Sequence, residues 1–178
     1  ESLRVSNRGE NSLLNKSKKT FLAAGLVAIL ALVVWLLTPS EESAIQKRLR
    51  SLATEASFGP TDSGIARLAY GNNLRDFFAD DAELTVEIEG RGAQSIHGRA
   101  EVLQFATFAR NKLTQAKLQL LDITIKLGED GVSARAYMTL LGDLSGEKNA
   151  VSQELKVSLK KFSHDWLITR IETIRTLQ

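Results

Sequence analysis

Cysteine is absent from this chain of 178 residues. Its absence excludes disulfides, thiolate nucleophiles, cysteine-rich zinc sites and acylation on cysteine. Histidine is nearly as scarce: His97 and His164 are the only two, so a three-histidine metal centre cannot form. No large excess of either charge exists, with 23 Lys and Arg against 21 Asp and Glu. The small surplus is also local, because residues 1–19 carry five basic residues against two Glu. That leaves residues 41–178 with 18 basic and 19 acidic residues, and no basic field for nucleic acid. No cofactor or metal is expected from this inventory.

What the chain does have is one uncharged, almost wholly apolar run from Phe21 to Leu37. With Thr20 and Thr38 it is long enough, as a helix of roughly 26 to 29 Å, to cross a hydrocarbon core about 30 Å thick. Lys16, Lys18 and Lys19 precede it and Glu41 and Glu42 follow it, which orients the N-terminus toward the cytoplasm. The bulky exit Val33-Val34-Trp35-Leu36-Leu37 favours a retained signal-anchor over a cleaved signal peptide. The expected organisation is therefore a cytoplasmic tail over 1–19, a transmembrane helix over 20–38 and an extracytoplasmic, periplasmic domain over 39–178. Such a chain is a single-pass protein of the inner (cytoplasmic) membrane. Within the span, Ala24, Ala28 and Ala31 share one helical face, a possible contact surface for a second membrane helix.

The segment after the run is one domain's worth of chain and can bury about two-thirds of its unfolded surface. Ile45, Leu49, Leu52, Ala53 and Ala56 follow helical spacing, and Ile65, Leu68, Ala69, Phe77 and Phe78 suggest a second helix, irregular at Gly71-Asn72-Asn73 and ended by Ala79-Asp80-Asp81. Leu84, Val86 and Ile88 alternate with polar residues as a strand does; a short strand through Ser95-Ile96-His97 leads to a third helix marked by Val102, Ala106, Ala109 and Leu113. From there the period is two. Leu121, Ile123, Ile125 and Leu127 turn at Gly128-Glu129-Asp130-Gly131 into Val132, Ala134, Ala136, Met138 and Leu140; a second hairpin follows through Gly142-Asp143-Leu144-Ser145-Gly146, and Gln153–Phe162 pairs across Ser163-His164-Asp165 with Trp166–Leu177. Helices first and a meander last predict an α+β class: three helices packed on a curved, mostly antiparallel sheet.

That order, with Phe77-Phe78-Ala79-Asp80-Asp81-Ala82 entering a strand, Ile96-His97-Gly98-Arg99-Ala100-Glu101-Val102 entering the third helix, and Trp166-Leu167-Ile168-Thr169-Arg170-Ile171 in the last strand, resembles the nuclear transport factor 2-like superfamily of cone-shaped domains. The resemblance spans about residues 41–178 and implies a bent sheet closed by three helices, often around a pocket. Its members include ketosteroid isomerases, dehydratases, epoxide hydrolases and domains without catalysis, so the fold leaves function open. In the isomerase branch the catalytic aspartate falls at Val86 here, and the tyrosine that stabilises the enolate near Arg48. A valine cannot remove a proton and an arginine is no phenolic donor, which argues against isomerase activity.

Other polar residues carry weak signals. Asp80 and Asp81 read as turn residues, and contiguous Ser163-His164-Asp165 is no triad, since such groups converge from separate segments. Arg170 and Glu172 read as an ion pair on the solvated face. His97, Asp122, Arg135 and Tyr137 are the possible lining of a cone pocket. The expectation is a non-enzymatic accessory or scaffolding subunit of a larger respiratory, photosynthetic or secretion-type membrane complex, docking through anchor and cone. Two alternatives stand beside it: a pocket-bearing small-ligand binder or enzyme of the isomerase/dehydratase class, and a membrane-tethered homo-oligomer. Pocket geometry separates them, because a cone packed shut has no room for a ligand.

Overall fold

The computed structural model describes residues 40–88, 92–145 and 150–174. The expected tail, the expected span and the Ala24, Ala28, Ala31 face lie outside these residues. Among the described residues no helix is long and apolar enough to cross a membrane.

Helix α1, Glu41–Ala56, opens with Glu41 and Glu42 where the unpaired amides of a first turn favour negative charge. Ile45, Leu49 and Ala53 recur every four residues and are its buried stripe. Both ends of α1 are fastened to the sheet. At its start, one oxygen of Glu41 accepts from Lys161 Nζ and the other from Trp166 Nε1 at 2.7 Å. At its end, Ser57 Oγ donates to the Ala53 carbonyl at 2.7 Å and accepts from Leu118 N at 3.0 Å.

Helix α2, Gly64–Arg75, is capped by Ser63, whose Oγ accepts from Ala66 N at 3.2 Å. It runs without interruption through Gly71-Asn72-Asn73, where the sequence suggested irregularity. Gly71 serves close packing instead: a Cβ there would lie 3.4 Å from Thr107 Oγ1 on the neighbouring helix α3, Arg99–Lys112. Ile65, expected on the apolar face, is 80% exposed; Tyr70 and Leu74 carry the burial. The helix also ends earlier than expected. Phe78-Ala79-Asp80-Asp81 belongs to strand β1, Phe78–Ile88.

The sheet has six strands in the order β2-β1-β6-β5-β4-β3, where β2 is Gly92–His97, β3 Ala116–Leu127, β4 Ser133–Leu144, β5 Val151–Phe162 and β6 Asp165–Ile174. All neighbours are antiparallel except β1 and β6, which run parallel, so the curved sheet is mixed. The last strand enters between the first and the meander, with Ile168 N donating to the Phe77 carbonyl at 2.9 Å.

Strand β3 departs from the expected single alternation. Its register with β4 steps from Leu121↔Thr139 to Thr124↔Tyr137, so three steps on one strand oppose two on the other. Asp122 sits at the extra residue with φ of 53°, a left-handed conformation that aspartate tolerates better than most residues. Before this bulge Ala116, Leu118 and Leu120 turn inward; after it Ile123 and Ile125 do, while Leu121 is 43% exposed and Leu127 42%. A second bulge, at Thr169 on β6, is covered by Thr169 Oγ1 donating to the Ser158 carbonyl at 3.2 Å.

Candidate functional site

The inward residues of the sheet form rows across the strands, and the rows differ in what they meet. Ala134, Leu159 and Ile168 are adjacent in one row; all are buried. The rows through Ala136, Val157 and Ile171, then Met138, Leu155 and Thr173, then Leu140 and Gln153, lead away from it. Along these rows the helices and sheet separate around a cavity of about 380 Å³. That size lies within the roughly 300–1,000 Å³ of small-molecule sites.

Among the described residues, every helix and every strand except β2 contributes to its wall. Leu49, Leu52, Ala53 and Ala56 come from α1, Tyr70 and Leu74 from α2, and Val102, Phe105 and Ala106 from α3. The sheet supplies Phe78, Leu84 and Val86 from β1, Leu118 and Leu120 from β3, Met138 and Leu140 from β4, Gln153, Leu155 and Val157 from β5, and Ile171 and Thr173 from β6. Leu49, Leu74, Phe78, Val102, Met138 and Val157 are buried. Leu84, Val86, Leu140, Leu155 and Thr173 are only half-buried, and Phe105 is 47% exposed, so the cavity has a closed floor and an open rim.

The chemistry of this wall is almost entirely hydrocarbon. Tyr70 is the one titratable side chain among the described lining residues, and its hydroxyl donates to the Ala56 carbonyl at 3.0 Å. Burial raises the Tyr70 pKa, a shift partly offset by the nearby Arg110 charge, so the hydroxyl stays neutral. Arg110 itself is buried against the Phe58 and Tyr70 rings, with its guanidinium carbon 4.7 and 4.5 Å from their centroids. It also donates to Asp62 at 2.7 Å. This stack fixes Tyr70 from behind.

None of the four sequence-predicted pocket residues lines the cavity. Arg135 and Tyr137 alternate with the inward Ala134, Ala136 and Met138, so the strand period turns them to the opposite face. There Tyr137 meets Lys126, whose Nζ is 5.7 Å from the ring centroid. Asp122 is exposed on the β3 bulge. His97 ends β2 opposite Glu83, with its side chain 69% exposed and Nδ1 3.9 Å from the Glu83 carboxylate. The same outer face carries Arg170, 3.3 Å from Glu172 and 3.4 Å from Glu83, and Lys156, 2.8 Å from Glu172. Asp80 pairs with Arg99, which also donates to the Phe78 carbonyl at 3.3 Å, tying α3 to β1. Ser163, His164 and Asp165 are exposed at the β5–β6 turn.

Val86, at the position where the resemblance puts a catalytic aspartate, does face the cavity. Arg48 does not: its guanidinium stacks on Phe77 at 5.2 Å and donates to the Asp76 carbonyl. Sequence reasoning missed Tyr70, Gln153 and Thr173, the polar residues among the described lining. No charge cluster or motif marks them; their only signal is a polar residue in phase with inward aliphatics, as Gln153 is with Leu155 and Val157. Among the described residues no cluster of His, Cys, Asp and Glu is suited to hold a metal.

No protein-family model matches the sequence and no curated protein matches it. Solved structures do. A nuclear transport factor 2-like protein of unknown function from Pseudomonas putida superposes with a TM-score of 0.58 at 13% identity, covering 77% of this chain and 87% of its own. The yeast UBP3-associated protein BRE5 gives 0.57 at 19% identity, with 78% and 99% covered. A candidate scytalone dehydratase from Novosphingobium aromaticivorans gives 0.56 at 13% identity, with 75% and 83% covered. At these identities the likeness establishes the fold: the chain has the nuclear transport factor 2-like cone, an architecture shared by candidate enzymes and by non-enzymes.

These findings correct the expectation of a docking-only scaffold in a membrane complex. The cone is hollow rather than packed shut, and structures of the same fold include a candidate dehydratase. The pocket-bearing alternative is the better reading.

Proposed function

We propose that the chain binds a small apolar molecule in the cone cavity and does not convert it. The observation that carries this reading is the wall itself: about 380 Å³ of space bounded by aliphatic and aromatic side chains from eight elements, with no carboxylate, imidazole or amine among the described lining residues. An engineered apolar cavity of about 150 Å³ holds benzene, so by proportion the enclosed part of this one takes about 15 non-hydrogen atoms, and a slightly larger ligand extends through the open rim. Burial of hydrocarbon supplies the affinity at roughly 25 cal/mol per Å² of apolar surface.

Acid–base conversion needs a free titratable group within reach of the substrate; the valine at position 86 removes the one that the resemblance would place there, and the Tyr70 hydroxyl is engaged by the Ala56 carbonyl. The dehydratase likeness supports an enclosed ligand site of this kind and not, by itself, the reaction. Titration of the full chain with the neutral fluorophore N-phenyl-1-naphthylamine tests the proposal. Saturable binding that is lost in the cavity-filling variant Ala106→Phe, while thermal unfolding remains cooperative, supports it. Binding that Ala106→Phe leaves unchanged overturns it, and so does turnover of a bound ligand into a new product.

A further inference from the structure

The polar groups of the cavity are not scattered over its wall. Tyr70 belongs to the floor and its hydroxyl is engaged by the Ala56 carbonyl. Gln153 and Thr173 lie together on the rim: Leu155 pairs directly with Thr173, and Gln153 is two residues from Leu155 on the same strand face. The Gln153 amide nitrogen donates to two main-chain carbonyls, Glu154 at 3.2 Å and Ile174 at 3.3 Å. With the nitrogen so engaged, the amide oxygen is the group left to accept, and it takes no hydrogen bond from a described residue. An acceptor on a half-buried residue beside a hydrocarbon cavity is a specificity element, because a ligand lacking a donor covers it without pairing it.

We infer that the ligand is a neutral amphiphile, with a hydrocarbon body on the cavity floor and a hydroxyl or equivalent donor that meets the Gln153 amide oxygen at the rim. The inference rests on the proposed apolar site and adds the identity of the ligand's polar end. A carboxylate end is disfavoured on the same geometry. It would meet an acceptor oxygen and hydrocarbon, with no cation among the described lining residues to offset its desolvation.

Displacement of N-phenyl-1-naphthylamine from the full chain by two isomers, 1-undecanol and 1-methoxydecane, tests this directly, because they share every atom count and differ in possessing a donor. One hydrogen bond contributes about 0.5–1.5 kcal/mol, so the alcohol is expected to compete at about 2- to 13-fold lower concentration than the ether. In Gln153→Leu, and independently in Gln153→Met, that ratio is expected to fall to about one. Equal potency of the isomers on the unaltered chain overturns the inference. A ratio that survives both substitutions, or undecanoate competing as well as the alcohol, overturns it too. All three results leave the apolar site standing, whereas absence of saturable probe binding removes the site itself.

Discussion

The two ends of the cone are made of the same kinds of residue and behave differently. At one end Ile45, Leu159 and Ile168 are no more than 2% exposed, and Glu41 bridges to Lys161 and Trp166 across the helix–sheet seam. At the other, Leu140, Leu155, Val86 and Phe105 present similar side chains to a cavity and, in part, to solvent. Hydrophobic burial at the first end stabilises the fold; at the second the same surface remains available for a ligand. Periodicity that hides a side chain from water therefore does not decide whether protein or guest covers it.

The comparison breaks most visibly at the packed end. Ile168→Ala removes a fully buried side chain that does not line the cavity, and a loss of about 2–5 kcal/mol in urea unfolding is expected. Destabilisation below about 1 kcal/mol would mean that this end is as loosely packed as the other. Next comes Val86→Asp, which puts a carboxyl into the apolar wall. Desolvation raises the pKa of such a group. Probe binding at pH 7 is therefore expected to weaken by at least about tenfold, since one tenfold corresponds to only about 1.4 kcal/mol, and to recover as acid neutralises the new side chain.

Leu140→Ala sharpens the contrast from the hollow end. The side chain is already half-exposed, so its stability cost is expected to be under about 1.5 kcal/mol, well below that of Ile168→Ala, while probe affinity falls several-fold. The smallest effect concerns Glu41. Its pKa is lowered from 4.5, first by the hydrogen bond from Lys161 and then by that from Trp166. A lowered folded-state value means that the stabilisation is present above the unfolded pKa and is lost as pH falls through the folded one. Glu41→Gln is expected to be slightly less stable at neutral pH and to show a shallower decline in thermal stability below about pH 4.5, read by acid-titrated unfolding.

Much of the architecture was legible because it is written in local pattern. The helical spacing of Ile45, Leu49 and Ala53, the turn residues Gly128 and Gly131, and the alternation of Ala134, Ala136 and Met138 each specify an element and its buried face. The β3 bulge was hidden because Leu121 and Leu127 are apolar but half-exposed, masking a change of phase whose only traces are the Leu120-Leu121 doublet and Asp122. The boundary between α2 and β1 was misplaced because Phe77 and Phe78 suit either period, and the pairing of Phe78 with Ile168 decides between them.

The site was less legible than the fold. Sequence reasoning sought polar residues for a pocket and chose His97, Asp122, Arg135 and Tyr137, yet the strand period that buries Ala134 and Ala136 turns Arg135 and Tyr137 outward. The cavity is lined by residues indistinguishable in type from core, and nothing in a linear pattern states that helices and sheet fail to meet. Val86, which the motif Asp80-Asp81-Ala82 locates along β1, lies in the cavity wall.

Methyl-resolved NMR of the full chain during titration with 1-undecanol tests the central claim most directly. The account expects saturable shifts at Val86, Met138, Leu140 and Leu155, with Leu159 and Ile168 unmoved. Shifts confined to methyls outside the cavity, or spread equally over both ends of the cone, would contradict it.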